Sequence, residues 1–308
     1  MESDPMISST LRGREVALDA SRPLVVGIAN ATPDSFSDSG ERSPASWVRN
    51  ALACYEAGAA IVEVGGESNV SNRPPVTAAE EIERVVPVIE ALAGAGAPVT
   101  VDTHRVETAA AALDAGASFV NDITGFRDPR MAELCAERGA GVVLMHTETP
   151  PKTPLWDDGL YPDGVVDHML AFFEERLRAL AAAGVGEDRV ALDPGPDFAK
   201  TPRQSVEALR GLDRLVGLGH PVMLAVSRKD VVGALTGRRP RDRGAGTLAA
   251  LAAGLRRGAR LLRVHDVEAT VDFLRVWEVL EEGVEVPVEL RIDEEIRREG
   301  PAGTLDPA

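Results

Sequence analysis

Short apolar runs rich in β-branched residues alternate with longer stretches rich in Ala, Leu, Glu and Arg through most of this 308-residue chain. The runs fall at residues 24–29, 60–65, 98–102, 118–121, 141–145, 189–193, 221–226 and 260–264. They lack a clean apolar/polar alternation, as parallel strands covered on both faces do. The stretches that follow them, at 44–57, 77–93, 105–115, 129–138, 165–183, 203–218, 246–257 and 267–280, have helical periodicity. Several stop at Gly58, Gly94, Gly116, Gly139, Gly184 or Gly219, the residue type that best accepts a left-handed C-terminal cap. Eight successive βα units predict an α/β chain closed into a (β/α)8 TIM barrel, an architecture of roughly 250 residues. An open doubly wound sheet would carry a glycine-rich phosphate fingerprint after the first strand, and none is present.

The barrel is expected over residues 23–282. Residues 1–22 form a polar N-terminal extension, read as a short hairpin or a plug across the barrel floor. Residues 283–308 are charged and proline-punctuated and read as an appendage or disordered tail. The 33 Lys and Arg against 49 Asp and Glu give a net charge of −16. That balance argues against a nucleic-acid groove and against an anionic membrane, leaving room for an anionic small molecule only in a local cationic pocket. Two cysteines, Cys54 and Cys135, make no disulfide framework. With no signal-peptide pattern and no membrane-length apolar run, the expectation is a cytoplasmic protein.

Polar residues fall where the strands end: Asn30, Glu67-Ser68, Asp102, Asn121-Asp122, His146, Asp193, Ser227-Arg228-Lys229 and His265-Asp266. In a barrel these converge on one rim, the usual place of an active site. Helix capping alone explains Thr103, Asp122 and Asp266, but Asn, Lys, Arg and His are weaker caps than Ser, Thr and Asp, so it explains the ring poorly. Asp102, Asp193 and Asn121 match the edge of a nitrogen-rich heterocycle, with Lys229 as donor to a ring carbonyl. Arg263, pointing inward, and His265 read as a cationic patch suited to phosphate. His104, His168 and His220 have no metal-ligand spacing to one another, and the cysteines lie within helices as packing residues. The basic run Arg238-Arg239-Pro240-Arg241-Asp242-Arg243 reads as a solvated loop.

The segment Ile28-Ala29-Asn30-Ala31-Thr32-Pro33-Asp34-Ser35-Phe36-Ser37-Asp38 resembles the first signature of dihydropteroate synthases, and Val64-Gly65-Gly66-Glu67-Ser68 resembles the start of the second. Val101-Asp102-Thr103, Asn121-Asp122, Met145-His146, Leu192-Asp193-Pro194-Gly195, Ser227-Arg228-Lys229 and Arg263-Val264-His265-Asp266 follow in that family's order. The resemblance covers residues 23–280. It implies a transferase of folate biosynthesis, in which the amine of p-aminobenzoate displaces diphosphate from 6-hydroxymethyl-7,8-dihydropterin diphosphate. It further implies that Asn30 ligates Mg²⁺ beside the diphosphate, and that Asp102, Asn121, Met145, Asp193 and Lys229 hold the pterin. Arg263 and His265 then bind the diphosphate, joined by Arg73 if the second loop shifts in register. Phe198, with Ser227 and Lys229 beside it, lines the p-aminobenzoate pocket. Asn30, Lys229, Arg263 and His265 are the implied catalytic groups, and a homodimer through the late helices is the implied assembly.

The chain departs from the family pattern in two loops. Where the family has Glu-Ser-Thr-Arg-Pro-Gly, Glu67-Ser68 is followed by Asn69-Val70-Ser71-Asn72-Arg73-Pro74-Pro75, which puts Val70 at the arginine. Losing that cation removes a charge-assisted contact of about 1.5–3 kcal/mol. In the sixth loop, Asp197 and Ala199 replace two glycines, an exchange expected to stiffen the loop and place a carboxylate near the anion. These features resemble the divergent second paralogue of actinobacteria. They leave three readings: a working synthase, a pterin-binding paralogue with weak or no synthase activity, and a pterin-dependent methyltransferase. The last leaves the diphosphate residues without a task.

Overall fold

The computed structural model describes residues 6–11, 14–32, 43–68 and 74–298. Eight parallel strands form one sheet: β3 (Leu24–Asn30), β4 (Ile61–Gly65), β5 (Val99–Asp102), β6 (Phe119–Asp122), β7 (Gly141–Met145), β8 (Val190–Asp193), β9 (Met223–Leu224) and β10 (Leu261–Val264). Each pairs with the next in chain order from β3 to β8, and β10 pairs with both β3 and β9. A bridge between Leu192 and Val222 joins β8 to the segment entering β9, so the sheet is a nearly closed (β/α)8 barrel. That seam is thin, because β9 is two residues long where a run over 221–226 was expected.

The helices between strands are α1 (Pro44–Glu56), α2 (Ala78–Gly94), α3 (Val106–Ala115), α4 (Pro129–Arg138), α5 (Val165–Ala182), α6 (Pro202–Arg210), α7 (Leu212–Val216), α8 (Asp230–Thr236) and α9 (Gly244–Leu255). Capping boxes start α2 at Thr77/Glu80 and α6 at Thr201/Gln204, each satisfying N–H groups that the first helical turn leaves unpaired. The single helix expected over 203–218 is two, divided at Gly211, where a β-carbon would stand 2.6 Å from Val166 Cγ2. After α2 it is Gly96, not Gly94, that takes the left-handed backbone.

Antiparallel strands β1 (Met6–Leu11) and β2 (Arg14–Asp19) form a hairpin. Ile7 of β1 packs with Val26, Ile61, Phe119, Val143, Ala191, Met223 and Leu261, residues near the starts of the barrel strands. The hairpin therefore plugs the barrel floor, and burying Ile7 alone is worth about 1.5–3 kcal/mol. This leaves the opposite rim as the accessible end.

The chain divides at Val271 into two compact units. The second contains most of α10 (Val267–Glu281) and, among its later described residues, one 3-10 turn at Glu294–Ile296. No helix among the described residues is long and apolar enough to cross a membrane.

Candidate active site

Parallel register aligns the rim. Asn30 pairs with Gly65, Gly65 with Asp102, and Asp102 with Asn121, so one row of residues crosses four strand ends. Met145 pairs with Asp193 on the far side of the barrel. Gly65 keeps the row open: a β-carbon there would lie 3.7 Å from Asp102 Cβ and 3.8 Å from Asn30 Oδ1.

The polar centre is a network that includes a residue the sequence reading did not single out. Glu63, buried in the middle of β4, accepts from Arg263 and, at 3.1 Å, from Asn121 Nδ2. Arg263 also reaches Asp102 Oδ2 at 3.0 Å. Burial, then the neighbouring Glu63 carboxylate, against the pull of Arg263, raises Asp102 to about 7. Asn121 is 3% exposed, and its Oδ1 has no partner among the described residues. An orphaned buried acceptor beside an acid of raised pKa is the arrangement expected where a ligand's N–H groups belong. Across the barrel, Asp193 Oδ1 accepts from Gly195 N at 2.8 Å, and burial raises this carboxyl against the opposing pull of Lys229.

The patch expected to be cationic is compensated instead. Arg263 is shared between two carboxylates, and His265 is held neutral by the low-dielectric wall of the mouth and by Arg263, Arg228 and Lys229. Ser227 Oγ lies 3.0 Å from His265 Nδ1 and accepts from His265 N at 3.2 Å. The Ser227 hydroxyl and the imidazole are thereby fixed to each other at the mouth, where His265 is exposed.

Lys229 donates to Pro196 O at 2.8 Å and sits 4.6 Å from the centre of the Phe198 ring, a cation–π contact between the loops after β8 and β9. Asp197 and Ala199 both adopt left-handed backbone, with φ of +69° and +48°. Where the family has glycines, this loop keeps the glycine-like course with side chains added. Nor does the Asp197 carboxylate stand as a free charge for an anion to meet. It accepts from the N–H groups of Asp230 at 2.6 Å and Val231 at 3.1 Å, at the start of α8. Gly195 is indispensable to this turn, since a β-carbon would lie 2.2 Å from His146 O.

The flanks of the second loop are anchored. Glu67 accepts from Val76 N at 3.3 Å and pairs with Lys152 at 2.5 Å and Arg105 at 2.6 Å. Burial would raise Glu67, but the hydrogen bonds from Lys152 and Arg105 overcome it and hold it below the usual range. Arg73, Asn69 and Val70, and the part of the first signature from Pro33 to Asp38, lie outside the described residues.

Three further features revise the sequence reading. His168, set aside for want of histidine spacing, meets His146 and Glu148, because the β7-to-α5 connection brings residues 22 apart together. Lys200 is buried behind them, with Nζ 2.7 Å from His146 Nδ1 and donating to Gly195 O and Phe198 O. Burial, then the Lys229 charge, pushes it down to about 7. Within the basic run, Arg243 is a clip rather than a solvated charge, bonding Arg228 O, Arg238 O and Asp230. Cys135 is buried, with its thiol pushed up to about 12 by desolvation, and Cys54 is half-buried and also raised, as packing roles require.

The sequence matches the family described as pterin binding enzyme over residues 26–265. A dihydropteroate synthase of Streptococcus pyogenes is 40% identical over 260 residues, covering 82% of this chain and 93% of its own. The Xanthomonas albilineans dihydropteroate synthase with 4-aminobenzoic acid superposes with a TM-score of 0.81 at 40% identity, covering 92% of this chain and all of that one. The same enzyme in complex with 7,8-dihydropteroate gives a TM-score of 0.77 at 37% identity, over 90% of this chain and 99% of that one. With the polar rim, the nearly closed barrel and these matches in agreement, the chain belongs to the dihydropteroate synthase family of pterin-binding enzymes.

Proposed function

We propose that this chain joins p-aminobenzoate to 6-hydroxymethyl-7,8-dihydropterin diphosphate, forming 7,8-dihydropteroate and diphosphate. The observation that carries this reading is the pairing of the orphaned Asn121 Oδ1 with the carboxyls of Asp102 and Asp193 around one rim. Ring N–H groups would meet acceptors there, Lys229 would donate to the ring carbonyl, and Met145 would pack against the ring. Phe198 and Ser227 are assigned to the p-aminobenzoate side. The amine attacks the exocyclic methylene as the C–O bond to diphosphate breaks, and the pterin ring's electron donation assists departure. No protein nucleophile is needed, so the side chains act by positioning and by charge stabilisation.

Asn30, Arg263 and His265 are assigned to the diphosphate, with Arg73 as a further candidate. Arg263 carries its charge into this role only as Glu63 and Asp102 share it, so the anion would compete with them for the guanidinium. Mg²⁺ fits the exposed Asn30 side chain: Oδ1 is a hard oxygen beside the cradle that Gly65 leaves open. A cation that keeps several waters and takes its other ligands from phosphate oxygens suits one such protein donor. When bound, Mg²⁺ would neutralise charge developing on the departing diphosphate.

The finer proposals are a cytoplasmic location, supported by two unpaired thiols, and a homodimer, supported by Val276 and Leu280 exposed on α10. Sedimentation across a concentration series tests the dimer, and a concentration-independent monomer refutes it.

Val70 at the family's arginine position favours a second reading, in which pterin binds with weak or no turnover. Calorimetric titration with pterin diphosphate and Mg²⁺, then p-aminobenzoate, followed by a product assay, separates the two. Turnover abolished by Arg73→Ala favours an ordinary synthase with a shifted loop. Pterin binding without turnover, restored by Asn69→Thr with Val70→Arg, favours the second reading.

A further inference from the structure

Behind the rim, between the end of β7 and the first turn of α5, three potential ligands converge. His146 Nε2 lies 3.2 Å from His168 Nδ1, and Glu148 Oε1 lies 3.8 Å from each of them. A tetrahedral ion with nitrogen ligands at about 2.0–2.1 Å separates its ligand atoms by about 3.3 Å. The observed triangle therefore closes around such an ion with small side-chain shifts.

The surroundings fix the ligand rings. His146 is buried and packs edge-on against Phe172, with ring centres 4.9 Å apart. Its Nδ1 lies 2.7 Å from Lys200 Nζ, and with Nδ1–H donating to the neutral amine the Nε2 lone pair is left facing Glu148 and His168. Tyr161 packs edge-on against His168 at 4.9 Å, while its hydroxyl is committed to Ala199 O and is no competing ligand. Arg127 engages the other carboxylate oxygen, Glu148 Oε2, at 3.6 Å and leaves Oε1 for the triangle. The His168 and Glu148 side chains remain 38% and 26% exposed, so an ion can enter and a water can complete four ligands.

We propose that His146, Glu148 and His168 form a site for a divalent transition cation of the zinc type, distinct from the Asn30 position. Two imidazoles and one carboxylate suit such an ion and give Mg²⁺, which prefers oxygen, little to hold. The site ties the loop after β7 to α5. It lies off the row Asn30–Gly65–Asp102–Asn121, so its role is to fix this corner of the rim rather than to touch the reacting atoms.

The test is titration of the full chain, stripped by chelator, with Co²⁺ in the presence of excess Mg²⁺. One equivalent should develop the intense visible bands of tetrahedral Co²⁺, and Zn²⁺ should displace it. His168→Ala and Glu148→Gln should each weaken Co²⁺ binding by more than about 100-fold, exceeding the loss of an outer-shell partner. Asn30→Ala should leave the bands intact. Zn²⁺ should raise the melting temperature of the parent and not of His168→Ala. Both variants change part-exposed side chains, and near-ultraviolet circular dichroism checks that each is folded. Absence of tetrahedral bands in the parent, or their persistence in the doubly substituted His168→Ala/Glu148→Gln protein, overturns the proposal.

Discussion

Glu63→Gln is the substitution that most directly tests the electrostatics of the rim. Glu63 and Asp102 share Arg263, and Glu63 also holds Asn121. Two carboxylates on one guanidinium are roughly 5 Å apart, where an effective dielectric of about 20 gives a repulsion of about 3 kcal/mol. Removing it should lower Asp102 from about 7 by about two pH units. In the parent, affinity for a pterin whose N–H groups need ionised Asp102 should fall tenfold per pH unit below about 7. In Glu63→Gln that onset should move toward about pH 5, where a shift of this size places it. Calorimetry from pH 5 to 8 measures both curves. The stability curve gives an independent check. A carboxyl whose folded pKa is raised favours folding fully below its unfolded value, and that contribution is lost as pH rises through about 7. His146 and His265, both lowered, give the opposite slope in parent and variant alike, so the difference between the two curves reports the Glu63–Asp102 pair. An unmoved pH onset in a folded Glu63→Gln protein would refute the shared-guanidinium argument.

Asp193→Ala should weaken pterin binding by about 5- to 150-fold, the effect of leaving buried ring donors unpaired at about 1–3 kcal/mol, and calorimetry reads it directly. Asp197→Ala should cost about 0.5–2 kcal/mol in urea unfolding by uncapping α8, with Asp197→Asn recovering part of the loss. Gly195→Ala should cost about 3 kcal/mol or more, since the new methyl group meets His146 O and the backbone is left-handed, and it should abolish pterin binding along with the loop's shape.

The rim was legible because parallel register carries strand-end residues into rows: Asn30, Asp102 and Asn121 follow from where three apolar runs stop. For Glu63 the sequence offers one signal, a single acid inside the apolar run Ile61-Val62-Glu63-Val64. Its function depends on Arg263 from a strand 200 residues later, a closure that periodicity does not encode. The meeting of His168 with His146 and Glu148 was hidden in the same way, by the path of the long β7-to-α5 connection. Helix α8 is seven residues with Gly233 inside it, too short to show a period. At Asp197 and Ala199 the residue types suggested stiffening, yet tertiary contacts hold both in the left-handed region, so local preference was overruled by the turn around Gly195.

The two-residue β9 has a mechanical consequence. It meets β10 at two positions, and β8 is joined only through the bridge at Val222 just before it, so the ladder is most easily unzipped there, and amide exchange should begin along it. The loops on either side of that weak line carry Phe198 and Lys229, whose cation–π contact and hydrogen bond to Pro196 O form a stitch across it. A molecule that draws Lys229 away from Phe198 would cut the stitch while supplying its own bridge between the same loops. Occupancy of the rim and integrity of the barrel wall would then be the same event, read by slower exchange at Leu192 and Met223.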